Sequence, residues 1–302
     1  MRIKKNPNAI KSPIQDRVFN WVDLILLIAV FFVIAWPLWF VIIASISHPD
    51  AVNAGKVLLI PRNITLEGYK YMLEYKELWR GYANTIFYTV VGTAINMVLS
   101  ICLAYPLSEK KFRLRKPLTI FVMITMYFSG GLIPNYLLMK DLHLVDTPWA
   151  MIVPGMISVY NSLIIRSYFQ NSIPGELKEA ATLDGANSLH YLIKIVLPLS
   201  KSVLAVVSLY YMVAHWNDFT HALYYIYDQK LAPLQSVLRD LLMSSKMTED
   251  LLFDPELAEQ AYQRAQSMKY AVIIAAVAPM MCVYPFIQKY FTKGVMVGSV
   301  KG

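Results

Sequence analysis

Six apolar runs of about 20 residues recur along the chain, each long enough to cross the hydrocarbon core of a membrane. They lie near 24–47, 84–106, 117–139, 149–166, 196–215 and 270–288. Charged residues make up only 16% of the chain, whereas a soluble globular protein carries about 25%. The sequence therefore predicts an all-α, polytopic membrane protein with six transmembrane helices.

The basic residues predict which way the chain is oriented. They cluster in the N-terminal tail, in the link after the second run, after the fourth run and in the C-terminal tail. These residues are Arg2, Lys4, Lys5, Lys11, Arg17, Lys110, Lys111, Arg113, Arg115, Lys116, Arg166, Lys178, Lys194, Lys201, Lys289, Lys293 and Lys301. The long link 216–268 instead carries eight acidic and four basic residues. Because basic loops stay inside, we expect both termini to be cytoplasmic, and we interpret the net charge of +8 as topology rather than nucleic acid binding.

This orientation divides the chain into three parts. We expect residues 1–20 and 291–302 to be cytoplasmic tails and residues 21–290 to form one membrane domain. Within that domain, residues 171–198 form a cytoplasmic loop and residues 216–268 an extracellular one. In the extracellular loop, Asp254-Pro255-Glu256 favours a helix start, because it combines an N-cap carboxylate with proline at the first helical position.

The loop 171–198 predicts a helical hairpin. Pro174 and Glu176 favour a helix start, and the helix should end near Asp184. Gly185 can then adopt a positive φ and terminate it. Asn187 or Ser188 can cap a second helix that continues toward Pro198.

Small residues give this hairpin a surface that a partner could grip. Ala180, Ala181 and Gly185 remove side-chain bulk, so a cleft of another protein could close around the hairpin. Composition alone fits an ordinary amphipathic hairpin at the membrane surface equally well.

The residues of the hairpin carry a resemblance to a known family. Glu179-Ala-Ala-Thr-Leu-Asp-Gly185, followed by Ile195-Val-Leu-Pro198, resembles the EAA loop of permease subunits of bacterial ABC importers. Trp216-Asn-Asp-Phe219 and the closing segment 284–302 are similar to carbohydrate-type permeases. Within these, the chain resembles the branch for complex polysaccharides and oligosaccharides and the maltose-type second permease.

The resemblance implies a fold, a role and a set of partners. The fold would be that of a type I ABC importer permease in the bacterial plasma membrane. An extracellular solute-binding lipoprotein would deliver a carbohydrate, a sister permease would complete the pathway, and two ATPase subunits would bind ATP and Mg. The residues implied to dock into an ATPase subunit are Glu179, Ala180, Ala181, Asp184 and Gly185.

The sequence also indicates whether this chain binds ATP itself. A chain that used ATP by itself would need a Gly-x-x-x-x-Gly-Lys-Ser/Thr loop. The chain has one Gly-Lys pair, Gly55-Lys56, and it lacks the upstream glycine. We therefore expect no cofactor in this chain.

Aromatic and polar residues near the fifth run are candidates for a substrate pathway. Sugars bind by stacking on aromatic rings and by hydrogen bonds to amides and carboxylates. The candidates are Trp216, Asn217, Asp218, Tyr211 and, in the fourth run, Asn161. Tyrosine and tryptophan also collect at membrane interfaces, and an interhelical hydrogen bond would explain Asn161 equally well.

Other function classes find less support. The five histidines lack the His-Glu-x-x-His spacing of a zinc site, and no Gly-x-Ser-x-Gly turn occurs. We therefore assign no catalytic residue and no metal ligand. The apolar runs also lack the buried carboxylates of an ion-coupled transporter. An ABC importer permease comes first, and a permease for another solute class or an ion-coupled secondary transporter remains as an alternative.

Overall fold

The computed structural model describes residues 14–251 and 255–298, and all regular secondary structure among them is helical. In chain order the helices are α1 (Ile14–Ser45), α2 (Pro49–Asn53), α3 (Glu67–Glu74), α4 (Lys76–Ser108), α5 (Arg115–Tyr127), α6 (Leu132–Asp141), α7 (Val159–Asn171), α8 (Gly175–Leu183), α9 (Ser188–Tyr191), α10 (Leu197–Leu199), α11 (Lys201–Trp216), α12 (Thr220–Tyr225), α13 (Leu234–Leu251) and α14 (Pro255–Gly298). Short 3-10 turns occupy Pro148–Met151, Val153–Gly155 and Gln229–Leu231.

Three helices among the described residues could each cross a membrane alone, and three bent pairs of helices could bring the number of crossings up to six. Helices α1 and α4 and the segment Gln263–Val283 of α14 are long and apolar enough to cross a membrane. The bent pairs, each a broken crossing if it spans the membrane, are α5 with α6 at 110°, Pro148–Gly155 with α7 at 51°, and Ser188–Leu199 with α11 at 83°. The prediction of an all-α membrane protein is thus confirmed, and the apolar runs near 117–139, 149–166 and 196–215 fall on the three bent pairs.

Glycine and proline account for two of the bends. Gly131 precedes α6 with a φ of +87°, a conformation that L-residues with side chains rarely adopt. Pro198 has no N–H, and in a regular helix its ring would clash with the carbonyl of Lys194. The chain avoids that clash with a π-helical turn over Leu192–Val196, immediately before the bend.

Helix α14 joins the link 216–268 to the last apolar segment, Gln263–Val283. It begins at Pro255, as the sequence predicts, and continues for 44 residues. At 1.5 Å per residue this is about 66 Å, roughly twice the hydrocarbon thickness. The proposed N-cap residue, Asp254, lies outside the described residues.

Helix α1 begins at Ile14, so the first helix starts before the predicted tail boundary at residue 20. Its apolar membrane-length window buries none of its residues within the chain. The helix packs mainly against α14. It therefore offers its apolar surface to lipid or to another subunit.

The interior is organised around α4, which packs against α7, α11 and α13. One buried cluster surrounds Leu78 at the start of α4 and includes Trp216 and Leu234. A second cluster surrounds Ala104 near the end of α4 and includes Ile165 and Tyr191. We call these regions the Trp216 end and the hairpin end of the bundle.

Candidate coupling hairpin and candidate pathway residues

Helices α8 and α9 form the hairpin predicted at residues 171–198, and the turn between them depends on a glycine. Helix α8 ends at Leu183, and Gly185 follows with a φ of +76°. The N–H of Gly185 donates to the carbonyl of Thr182 at 3.1 Å, and the N–H of Ala186 donates to that of Ala181 at 2.9 Å. These two bonds form a Schellman motif, which requires the left-handed conformation at its glycine.

The second helix of the hairpin is capped by Asn187. Its Oδ1 accepts a hydrogen bond from the N–H of His190 at 2.8 Å, so the cap is Asn187 rather than Ser188. A side-chain cap satisfies one of the amide groups that have no partner at a helix start. The local residue chemistry therefore fixes both the end of the first helix and the start of the second.

Four of the five predicted docking residues lie on the surface of the hairpin. Glu179, Ala180, Asp184 and Gly185 are exposed. Ala181 is only 7% exposed and packs in the cluster around Ala104. The expectation that Ala181 removes bulk from the surface is therefore wrong, because its side chain faces the interior.

The tip of the hairpin also exposes large apolar side chains. Leu183 is 88% exposed and Leu189 is 63% exposed, on either side of the Gly185 turn. Leaving two leucines in water forfeits the free energy that burial would provide. This combination suits a surface that another protein covers.

Polar bonds connect the hairpin, and helix α7 before it, to the C-terminal end of α4. Lys178 forms an ion pair with Glu109, and the Tyr105 hydroxyl donates to the carbonyl of Ser188 at 3.1 Å. On α7, which leads into the hairpin, Arg166 Nε donates to the carbonyl of Leu107 at 3.0 Å. A displacement of the hairpin would therefore pull directly on α4.

Two of the predicted pathway residues are buried, and their side chains form hydrogen bonds within the chain. Trp216 is 5% exposed, and its Nε1–H donates to the carbonyl of Ala276 on α14 at 3.0 Å. The Tyr211 hydroxyl lies 2.6 Å from Ser100 Oγ and accepts from the N–H of Ser158 at 3.1 Å. In this conformation both side chains are buried, and their hydrogen bonds hold helices together.

The other three predicted pathway residues differ in their surroundings. Asn217 is exposed, and its side-chain amide donates to the carbonyl of Val213 at 2.9 Å. The carboxylate of Asp218 accepts from the N–H of His221 at 3.1 Å and lies 2.5 Å from that ring's Nδ1. Asn161 is buried in the first turn of α7. Three of the five candidates, Trp216, Tyr211 and Asn161, are therefore buried in this conformation.

A buried polar stripe on α4 is a feature that the sequence analysis missed. Thr89 Oγ1, Thr93 Oγ1 and Asn96 Oδ1 are buried without a hydrogen-bond partner, as is Nε2 of His215 on the facing helix α11. The signal was present in the sequence as small polar residues every three or four positions within an apolar run, which places them on one helix face.

No metal centre emerges from the described ranges 14–251 and 255–298. No group of three or more His, Cys, Asp or Glu side chains there is arranged to hold a metal ion. Asp218 and His221 form a pair that links the start of α12 to its preceding turn. Their arrangement is that of a helix cap.

Up to six apolar crossings, together with an exposed hairpin that is bonded to the end of α4, are typical of a membrane transport permease. Residues 96–297 match the family of binding-protein-dependent transport system inner membrane components. The chain belongs to this family. It is a multi-pass permease subunit of an ABC importer in the cell membrane, which confirms the class inferred from the EAA-like loop.

Similar proteins extend this result over nearly the whole chain. The polygalacturonan/rhamnogalacturonan transport system permease protein YtcP of Bacillus subtilis (strain 168) is 39% identical over 289 residues, covering 95% of this chain and 100% of YtcP. Protein LplC of the same organism is 39% identical over 286 residues, covering 95% of this chain and 96% of LplC.

A solved structure shows the same fold. It is the crystal structure of a bacterial ABC transporter involved in the import of the acidic polysaccharide alginate. One of its chains matches with a TM-score of 0.85 and 32% identity, over 94% of this chain and 100% of that chain. The type I importer permease fold is therefore confirmed.

Proposed function

We propose that this chain imports a carbohydrate, an oligosaccharide or a polysaccharide fragment, as one of two paired permeases. An extracellular solute-binding lipoprotein delivers the solute, and two cytoplasmic ATPase subunits supply the energy. The names of the similar proteins support the substrate class, because polygalacturonan, rhamnogalacturonan and alginate are all polysaccharides. Family membership leaves a permease for another solute class as the alternative.

The observation that supports the coupling role is that the hairpin exposes its Gly185 turn and is bonded to the end of α4. Glu179, Asp184 and Gly185 offer a polar, low-bulk surface, and Leu183 adds an apolar contact at the tip. We place this hairpin and both termini in the cytoplasm because the basic residues concentrate on that side. A groove in each ATPase subunit then receives the tip.

The bonds between the hairpin and the end of α4 allow movement of the ATPase subunits to reach the membrane helices. When ATP binding draws the two ATPase subunits together, each hairpin moves with them. The ion pair between Lys178 and Glu109 and the bond from Tyr105 to Ser188 transfer that movement to α4. Because α4 packs against α7 and α11, the crossings rock as a unit between inward-open and outward-open states.

A matched pair of glycine substitutions tests the coupling role. Gly185 and Gly55 both have positive φ, +76° and +68°, and an added Cβ would meet nothing within 4 Å at either position. Gly185→Trp with Glu179→Ala should abolish uptake and binding-protein-stimulated ATPase activity in the assembled importer. Gly55→Trp carries a comparable backbone strain far from the hairpin, so it should keep both activities.

Two results would reject this role. One is full uptake and stimulated ATPase activity in the variant with both hairpin changes. The other is equal loss in the Gly55→Trp variant, which would assign the defect to general strain. Co-purification of the ATPase subunits distinguishes failed docking from failed transmission.

The substrate class requires its own measurement. Uptake into proteoliposomes containing the complete importer should be saturable with galacturonic acid oligomers or with neutral oligosaccharides. Amino acids and short peptides should not compete. Competition by a peptide, with none by any oligosaccharide, would move the chain to another solute class and leave the coupling role intact.

A further inference from the structure

A basic cavity opens at the hairpin end of the bundle, between the link 109–116, the start of α5 and α7. Its volume is about 630 Å³. Six of the residues that line it are basic: Lys110, Lys111, Arg113, Arg115, Lys116 and Arg166. The cavity therefore concentrates positive charge far beyond what one surface lysine provides.

The charges of this cavity are not balanced by carboxylates. Glu109 is the acidic residue of the link, and it pairs with Lys178 instead. Among the described residues, the six cavity cations form no ion pair. Arg115 and Arg166 are both half-buried and line the same cavity, so their like charges repel each other. An anion in the cavity would relieve this repulsion.

The start of α5 strengthens the attraction for an anion. This helix of 13 residues begins at Arg115 and has no acidic residue in its first turn. A helix N-terminus carries partial positive charge, so it favours anions and disfavours the cations of Arg115 and Lys116. A bound phosphate would reverse that unfavourable arrangement, because amide groups at a helix start bind phosphate readily.

Apolar residues beside the cations indicate where the anion comes from. Phe112 and Ile120 line the same cavity, and Phe121 on the next position of α5 is 66% exposed. Helix α5 is part of a crossing, so these side chains lie where acyl chains of the adjacent leaflet run. A cavity that combines cations with apolar walls at the membrane edge suits a phospholipid, whose headgroup and chains need both.

We propose that this cavity binds the phosphate headgroup of an anionic phospholipid from the leaflet at the hairpin end. The phosphate lies among Arg113, Arg115, Lys116 and Arg166, and the acyl chains follow the apolar face of α5. Arg166 also donates to the carbonyl of Leu107, at the end of α4 to which the hairpin is bonded. The bound lipid therefore braces the region that holds the hairpin to α4.

The test uses the complete importer and a matched pair of double substitutions. The cavity variant carries Arg113→Gln and Lys116→Gln. The control carries Lys194→Gln and Lys201→Gln, which remove two exposed charges near the hairpin but outside the cavity. Native mass spectrometry then measures retention of phosphatidylglycerol relative to phosphatidylcholine by each variant.

The wild type and the control should retain phosphatidylglycerol in preference to phosphatidylcholine. The cavity variant should bind phosphatidylglycerol about thirtyfold more weakly, because each Lys or Arg near an anionic membrane surface contributes roughly a factor of five. Equal losses in the two variants would show that general surface charge holds the lipid, and would overturn the proposal. Intact uptake alongside such a result would leave the proposed transport function standing.

A competition experiment identifies the source of the phosphate. Inorganic phosphate and glycerol 1-phosphate at 10-fold molar excess over the lipid should leave phosphatidylglycerol bound, because they make no contact with the apolar wall. Displacement by either would make the cavity a site for soluble phosphates and overturn the lipid proposal. Loss of the ATPase subunits from the cavity variant, with lipid retention unchanged, would make it a protein contact and overturn it equally.

Discussion

The two ends of the α4–α11 pair use glycine in opposite ways. At the hairpin end, Gly185 adopts a positive φ in open space, where an added Cβ meets nothing within 4 Å. Toward the Trp216 end, a Cβ on Gly92 would lie 2.5 Å from Nε2 of His215, and one on Gly68 would lie 2.2 Å from the carbonyl oxygen of Ser267. One glycine shapes a surface, whereas the others let helices approach closely.

The two ends also differ in the contacts that stabilise them. The Trp216 end is closed by contacts within the chain, including the bond from Trp216 to Ala276 and the packing of Leu78 and Leu234. At the hairpin end, Leu183 is exposed, and polar bonds such as the ion pair between Lys178 and Glu109 connect the hairpin to the end of α4. Substitutions at the Trp216 end should therefore affect folding, and substitutions at the hairpin end should affect communication with partners.

The largest expected effect comes from Gly68→Ala at the Trp216 end. The added methyl group would collide with the backbone of α14 at Ser267, and a helix backbone cannot move aside as a side chain can. We expect the free energy of unfolding to fall by about 3 kcal/mol, the upper part of the range for overpacked cores. Denaturant titration of the purified subunit measures this loss.

Gly175→Ala provides the control for that experiment. Gly175 begins α8, has an ordinary φ, and an added Cβ would meet nothing within 4 Å. Replacing glycine by alanine at a compatible helical position reduces the entropy of the unfolded chain and stabilises by up to about 1 kcal/mol. Equal destabilisation by the two substitutions would contradict the contrast between the two ends.

A smaller loss of stability is expected for Gly92→Ala, midway along α4. The colliding group is the buried ring of His215, which can shift further than a backbone. We expect a loss of about 2 kcal/mol. Adding His215→Ala should recover part of it, since the smaller side chain vacates the space. Strict additivity of the two substitutions in a double-mutant cycle would show that they do not touch.

Sequence reasoning predicted the hairpin because its determinants are local. The Schellman turn needs only a glycine at position 185, and the cap needs only Asn187 three residues before His190. The six crossings were predictable for a similar reason, since the length and hydrophobicity of a run decide whether it crosses a membrane. The surface position of Glu179 was implied instead by the resemblance to the EAA loop.

What the sequence could not provide depends on contacts between distant segments. Trp216 was a candidate for the pathway, but it is buried because α14, 60 residues further along the chain, covers it. Tyr211 is buried by its bonds to α4 and to the turn before α7. Ala181 faces inward because it packs in a cluster with Ala104 of α4 and Ile165 of α7. None of these neighbours can be inferred from residues nearby in sequence.

Trp216→Phe examines whether the Trp216 end serves structure or substrate. The substitution removes the hydrogen bond to Ala276 while keeping most of the apolar contact. We expect a loss of about 1 kcal/mol in the free energy of unfolding and an unchanged KM for uptake, because the side chain is buried. Asn217→Ala, at the exposed neighbouring position, is the comparison. A raised KM in the Trp216→Phe variant alone would indicate that Trp216 contacts the substrate.

The smallest effect on stability is expected at the hairpin end, from the ion pair between Lys178 and Glu109. Both side chains are partly exposed, so Lys178→Gln or Glu109→Gln should lower the free energy of unfolding by less than about 1 kcal/mol. Each substitution should nevertheless reduce the amount of solute transported per ATP hydrolysed, because the hairpin then moves with less effect on α4. The charge swap, Lys178→Glu with Glu109→Lys, should restore that ratio in the assembled importer.

If the single substitutions leave the ratio unchanged, the hairpin transmits its movement through the Tyr105 and Arg166 bonds without the ion pair. If the swap fails while the single substitutions impair transport, the two side chains act separately and not as a pair.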